Sequence, residues 1–194
     1  MYSEPQVPVP FQPKIVTGNY YYCPNIDINS QQMFGDYLVA FPIWFASEET
    51  WTRIGFRLTV ADAGKVARLG LYANGSNNQP GALIADFGTV SLTSTGDLEI
   101  TISQKLKKNT VYWLAFTANT DTSSPSAQCT SMTYYGSGLR GNGSWILGST
   151  VSIDSNSPLG VPGIGYARAY AALPDPFGTP DGCYDSPAIW LRKT

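Results

Sequence analysis

The chain contains no histidine. That absence removes Ser-His-Asp and Cys-His activation of a nucleophile, imidazole ligation of a metal and imidazole proton shuttling together. The three cysteines, Cys23, Cys129 and Cys183, lie far apart without CxxC spacing. They argue against a zinc site and against a complete disulfide framework; one bridge, Cys23 to Cys183, is open if the two ends of the domain meet. A carboxylate pair is the remaining route to hydrolysis, acting on a glycosidic bond. The fourteen acidic residues, however, are scattered over turns and outward strand positions. The turn 74–81 (NGSNNQPG) offers only amide and backbone oxygens, whereas calcium takes about six to eight oxygens, carboxylates among them. The expectation is no catalytic set, no metal and no cofactor.

The residues suited to binding are aromatic. A sugar is held by a flat aromatic face against its C–H groups and by polar side chains at the rim that fix its hydroxyls. Tyr134, Tyr135, Arg140 and Trp145 bring these types together within a stretch, 119–165, rich in Ser, Thr, Gly, Asn and Pro. Long loops of this kind are uncommon in compact domains unless they bind something or pack on a neighbour. These four are the candidate glycan-binding residues; the competing reading packs them beneath a loop or at a subunit interface. Trp44, Trp51, Trp113 and Trp190 fall on strand patterns and are assigned to core or interface.

Such a surface has to be carried by sheets. In Ala67, Leu69, Leu71 and Ala73 apolar residues take every second position, with Arg68 and Tyr72 between them; Leu98, Ile100 and Ile102 repeat the pattern. Ile54, Phe56, Leu58 and Val60 do the same against Arg53, Arg57 and Thr59. A period of two means strands with one buried face. The intervening Asn-Gly, Pro-Gly and Thr-Gly pairs are turn signals. Pro42 inside YLVAFPIWF (37–45) asks for an edge position or a bulge. Two closing strands are expected in IGYARAYAAL (164–173) and PAIWLRKT (187–194). About eight to ten short strands without helical periodicity point to an all-β, antiparallel β-sandwich, with the strand count fitting a jelly roll. One domain, 14–194, follows a proline-rich segment, 1–13, whose Pro5, Pro8, Pro10 and Pro13 favour an extended path. Val7, Val9 and Phe11 between those prolines are the candidate anchoring residues of an arm that docks on a neighbouring subunit.

Charge and hydropathy exclude two partner classes. The net charge is −2, and Lys105, Lys107 and Lys108 are a solvated corner rather than a basic stripe, so no nucleic acid is expected. No stretch approaches the ~20 apolar residues that span a bilayer. The N-terminal segment lacks the apolar core of a signal peptide, so synthesis in a reducing cytoplasm is expected. Only 13% of residues are charged, about half the usual share, as expected of a surface partly covered by partner subunits or used for contact.

The string ARLGLYANGSNNQPGALIADFGTVSLTSTG, followed by EITISQKLKKNTVYWLAF, resembles a module of tailed-phage and prophage virion proteins. There a "RLGIYAD…G.PG.L..D.GTV" strand-turn-strand leads into "ITIS..L..G.YWLAF". The likeness takes in WTRIGFRLTVADAGKVARLG upstream, YAALPDPF downstream and the closing SPAIWLRKT, similar to a C-terminal "APAI.LR" strand, and so covers roughly residues 18–194. The resemblance implies a jelly-roll domain, trimeric, on the virion surface as a tail-fibre, head-fibre or spike tip or a capsid decoration protein. For some members it implies binding of host-surface polysaccharide. With thirteen residues before the module, a short surface-bound protein held to other virion proteins by its arm is expected. The alternative is a free-standing carbohydrate-binding module without a virion role; a polysaccharide-degrading enzyme is the remote third.

Overall fold

The computed structural model describes residues 15–22, 27–33, 35–121, 127–133, 163–184 and 186–194. Thirteen strands occur among them: β1 Tyr20–Tyr21, β2 Asp27–Gln32, β3 Tyr37–Ile43, β4 Glu49–Val60, β5 Val66–Asn74, β6 Pro80–Ser91, β7 Gly96–Leu106, β8 Tyr112–Ala118, β9 Gln128–Thr133, β10 Gly163–Ala167, β11 Gly182–Tyr184, β12 Ser186–Pro187 and β13 Trp190–Arg192. A single 3-10 turn, Ser76–Asn78, interrupts them, and the described residues contain no α-helix.

Two antiparallel sheets form a β-sandwich. In the first, β4 is central: β7 runs along one side of it, while β13 and β9 share the other. β2 lies beyond β9, and β1 beyond β13. The second sheet has the order β11-β10-β3-β8-β5-β6. Pairing of β1 with β13 brings the two ends of the domain together; Cys23 lies outside the described residues, and Cys129 is buried.

The core sits between the sheets. Ile54, Phe56 and Leu58 of β4 meet Phe41 of β3, Leu69 and Leu71 of β5, and Leu114 and Phe116 of β8, all buried. The Phe56 and Phe116 rings cross edge-to-face at 5.5 Å and bridge the layers. Each such side chain contributes roughly 1.5–3 kcal/mol by leaving water. Val60 departs from the expected inward set: it is 41% exposed, at the strand end past a register shift between Leu58 and Val60. Pro42 lies inside the second sheet, yet β10 pairs only with 37–40, so β3 is locally an edge where the proline's missing N–H would fall. Gly75 has φ −89°, so the Asn-Gly turn does not use it for a left-handed conformation. It is glycine because Gly81 passes so close that a Cβ would stand 3.1 Å from the Gly81 Cα.

The second sheet differs from a one-faced strand pattern. All seven residues of β8 are buried, and Tyr72, set between the inward Leu71 and Ala73 in the alternation, is fully buried as well. The reason is a second core on the outer face, formed by Leu38, Ala40, Tyr72, Trp113, Ala115, Leu173 and Phe177. Register places Ala40, Ala115 and Gly70 in one row across β3, β8 and β5. Three small residues in a row make a trough, and Leu173 fills it: a Cβ on Gly70 would come 2.0 Å from the Leu173 Cδ1. The expected closing strand 164–173 therefore ends at Ala167, and 168–181 forms a strap over the sheet.

Polar bonds pin the strap. Asp86 accepts from Arg68 Nη1 at 2.7 Å and from the Leu173 N–H at 3.1 Å. Asp175 accepts from the Leu83 N–H at 2.9 Å, the Phe177 N–H donates to the Gly81 carbonyl at 3.0 Å, and the Tyr166 hydroxyl donates to the Phe177 carbonyl. The Tyr72 hydroxyl donates to the Pro174 carbonyl at 2.8 Å. Burial lowers the Arg68 pKa, but hydrogen bonds to Tyr170 and Asp86 outweigh it and hold the guanidinium above its ordinary value.

A pH dependence follows from Tyr72. Burial, then the charge of Tyr166, raises its phenol above the ordinary tyrosine value, with Arg168 opposing. The folded pKa exceeds the unfolded one, so the contribution of the neutral phenol is complete below about pH 10 and is lost as pH climbs through the folded value. Urea midpoints taken from pH 8 upward should stay level and then fall above about pH 10, by up to about 1.4 kcal/mol per pH unit for one such group. Tyr72→Phe should flatten that alkaline limb while lowering stability at neutral pH. An unchanged limb in the variant would assign the alkaline loss elsewhere.

Candidate functional site

The outer face of the first sheet is built differently. Ile54, Phe56, Leu58 and Leu191 point into the core, so alternation puts Arg53, Gly55 and Arg57 of β4, and Trp190 and Arg192 of β13, on the outside. Register then aligns them. Tyr20 stands opposite Arg192, and Arg192 opposite Arg53; Trp190, Gly55 and Glu99 form the next row; Arg57 faces Asp97 in the row after that.

Gly55 decides the shape of this face. A Cβ there would lie 2.4 Å from the Leu98 carbonyl oxygen and 3.1 Å from the Trp190 Nε1. Without one, the Trp190 indole lies down in the gap and is only 7% exposed although it is on the outer face. Arg192 reaches across the same gap to Glu99, Nη2 to Oε2 at 2.6 Å. Tyr20 packs edge-to-face on Trp190 at 5.1 Å, with the Arg192 guanidinium 5.2 Å above its ring. Its hydroxyl donates to Asp97 Oδ2 at 3.3 Å, and Arg57 Nη1 holds Asp97 Oδ1 at 2.8 Å. The hydrogen bond to Glu99 raises the Arg192 pKa against the effect of burial, so its charge is fixed at all working pH values.

Three guanidinium groups thus face two carboxylates in a chain whose net charge is −2. Arg53 has the longest carboxylate contact of the three: Nη1 donates to the Thr52 carbonyl at 3.0 Å, and Nε stands 4.0 Å from Glu99. Tyr20, two strands away in the same row, and Tyr22, just past the end of β1, are each 42% exposed. Trp190 Nε1, Glu99 Oε1 and Arg192 Nε are buried without a hydrogen-bond partner, so the polar network beneath the tyrosines is not saturated. The arrangement offers flat rings flanked by oriented donors and acceptors. Such a surface can hold a polar polymer.

The bonds to Asp97 are exposed and contribute little to the fold. The Arg57 and Asp97 side chains are 57% and 37% exposed, so Asp97→Asn should change the unfolding free energy by no more than about 1 kcal/mol in urea titration. A much larger loss would mean the patch is structural.

Tyr134, Tyr135, Arg140 and Trp145, the expected glycan-binding residues, lie outside the described residues, as do the expected anchoring residues Val7, Val9 and Phe11. Trp51, Trp113 and Trp190 are buried as their strand positions led one to expect, whereas Trp44, expected with them, lies just past the end of β3 and is half-buried. The sequence marks Arg53, Arg57 and Glu99 as outward but does not bring them together; only the register of β13, β4 and β7 does. Gly55 carried no signal, since a glycine between Ile54 and Phe56 reads simply as a weak strand position. Among the described residues no group of three or more Cys, Asp or Glu is placed to hold a metal, and no helix is long and apolar enough to cross a membrane. No protein-family model, curated protein or solved structure matches this chain.

Proposed function

We propose that this chain is a non-enzymatic protein of a phage particle's surface, a fibre or spike tip or a capsid decoration protein, that works by adhesion. The observation that carries this reading is the contrast between the two outer faces. One is sealed by the chain's own strap, residues 168–181; the other presents Tyr20, Tyr22 and a lattice of ion pairs. The resemblance in 65–118 and 186–194 to virion modules supports it. So does the strand order: β2-β9-β4-β7 packed on β3-β8-β5-β6 is the alternation we read as a jelly roll. In this reading the chain assembles as a trimer, residues 1–13 hold it to other virion proteins through Val7, Val9 and Phe11, and the open face together with Tyr134, Tyr135, Arg140 and Trp145 meets host-surface polysaccharide.

The test is attachment. Full-length protein mixed with purified particles should stay bound through a high-salt wash, and protein lacking residues 1–13 should wash off. Equal retention of the two would overturn the anchoring. Because the described residues of the open face all belong to one chain, a free-standing carbohydrate-binding module is the second reading; it predicts glycan binding by the monomer and no retention on particles.

A further inference from the structure

We infer that the outer face of the first sheet takes an acidic polysaccharide, with Arg53 seating a sugar carboxylate and Tyr20 stacking a neighbouring ring. The inference rests on the adhesion reading above and names the ligand class of that face.

Charge complementarity comes first. The patch carries one more guanidinium than carboxylate, and the two carboxylates are already engaged, Glu99 with Arg192 and Asp97 with Arg57 and Tyr20. Arg53 shares Glu99 with Arg192 and reaches it only through Nε at 4.0 Å, so its charge is the least neutralised of the three. Its side chain is 30% exposed and donates one close bond, to the Thr52 carbonyl. A guanidinium has five N–H donors in a planar fork that matches a carboxylate with two parallel bonds. A neutral sugar would leave that fork to water.

Spacing comes second. Tyr20, Arg192 and Arg53 lie in one row on three successive strands, so Tyr20 and Arg53 are two strand spacings apart, about 10 Å. That distance suits neighbouring units of one glycan chain, one ring on tyrosine and the next unit's carboxylate on arginine. Arg192, held over the Tyr20 ring and tied to Glu99, and Trp190, buried beneath it, keep the tyrosine in place before any ligand arrives. Ordering costs at binding are therefore small.

The test is an oligosaccharide array carrying hyaluronate, polygalacturonate and polysialate fragments beside neutral dextran and galactan fragments, probed with the full chain. Signal should concentrate on the carboxylated fragments and weaken with added salt. Arg53→Gln should lower affinity for them at least about tenfold, with an unchanged thermal midpoint; Arg53→Lys, which keeps charge but loses the fork, should fall between. Tyr20→Ala should lower binding of every fragment alike. No signal on carboxylated fragments, equal signal on neutral ones, or an Arg53→Gln variant that binds like the parent would each overturn the proposal. Particle attachment through residues 1–13 is read separately, so a chain that attaches but gives no array signal rejects this site and leaves the virion reading standing.

Discussion

Phe177→Ala should lower the unfolding free energy by about 3–5 kcal/mol, the range for emptying a buried aromatic site. Phe177 is fully buried and stands edge-to-face with Tyr72 at 5.0 Å and with Tyr166 at 5.5 Å. With Leu173 its ring forms the apolar contact of the strap on the outer face of the second sheet, so the loss should be local before it is global. Amide exchange should accelerate first at Leu173 and Phe177, whose N–H groups are bonded to Asp86 and Gly81, while Leu69, Leu114 and Phe116 in the inner core keep their protection. Equal acceleration in both layers would mean that the two cores unfold as one.

Asp86→Ala should cost about 3 kcal/mol. The carboxylate is one-fifth exposed and receives Arg68 at 2.7 Å, the Leu173 N–H at 3.1 Å and the Gly88 N–H at 3.0 Å. Truncation leaves a half-buried guanidinium without its carboxylate, with Tyr170 its remaining partner, and two backbone donors unpaired, which is where removal of one member of a buried pair becomes expensive. Urea unfolding of Asp86→Ala, Phe177→Ala and the double variant measures the coupling. Both residues act on the same strap, so the double variant should lose less than the sum of the two. Strict additivity would contradict the picture of one cooperative strap.

The sandwich was legible where one face meets the core and the other meets water. Ile54, Phe56 and Leu58 alternate with Arg53 and Arg57 because that strand segment has one wet side. Legibility failed at Tyr72 and the 164–173 stretch. Tyr166, Arg168, Tyr170 and Ala172 continue a strand-like alternation, and nothing local says where pairing stops. The stop is set by the row Ala40, Ala115 and Gly70, which exists only once β3, β8 and β5 are in register. Strands β2 (DINSQQ) and β9 (QCTSMT) escaped notice for another reason: they are polar, and their pairing with one another is a long-range fact. The candidate face was half visible. Its charges and tyrosines stand at outward positions, but their convergence over Gly55 depends on three strands that are far apart in the chain.

Nitration of tyrosines with mass mapping, on the full chain with and without host-surface polysaccharide, probes both outer faces at once. Tyr20 and Tyr22 should be modified in the free protein and protected when the polysaccharide is bound, and Tyr72 should stay unmodified in both. Unaltered reactivity of Tyr20 and Tyr22 in the bound state, or modification of Tyr72 in the free protein, would contradict the division into one sealed and one working face.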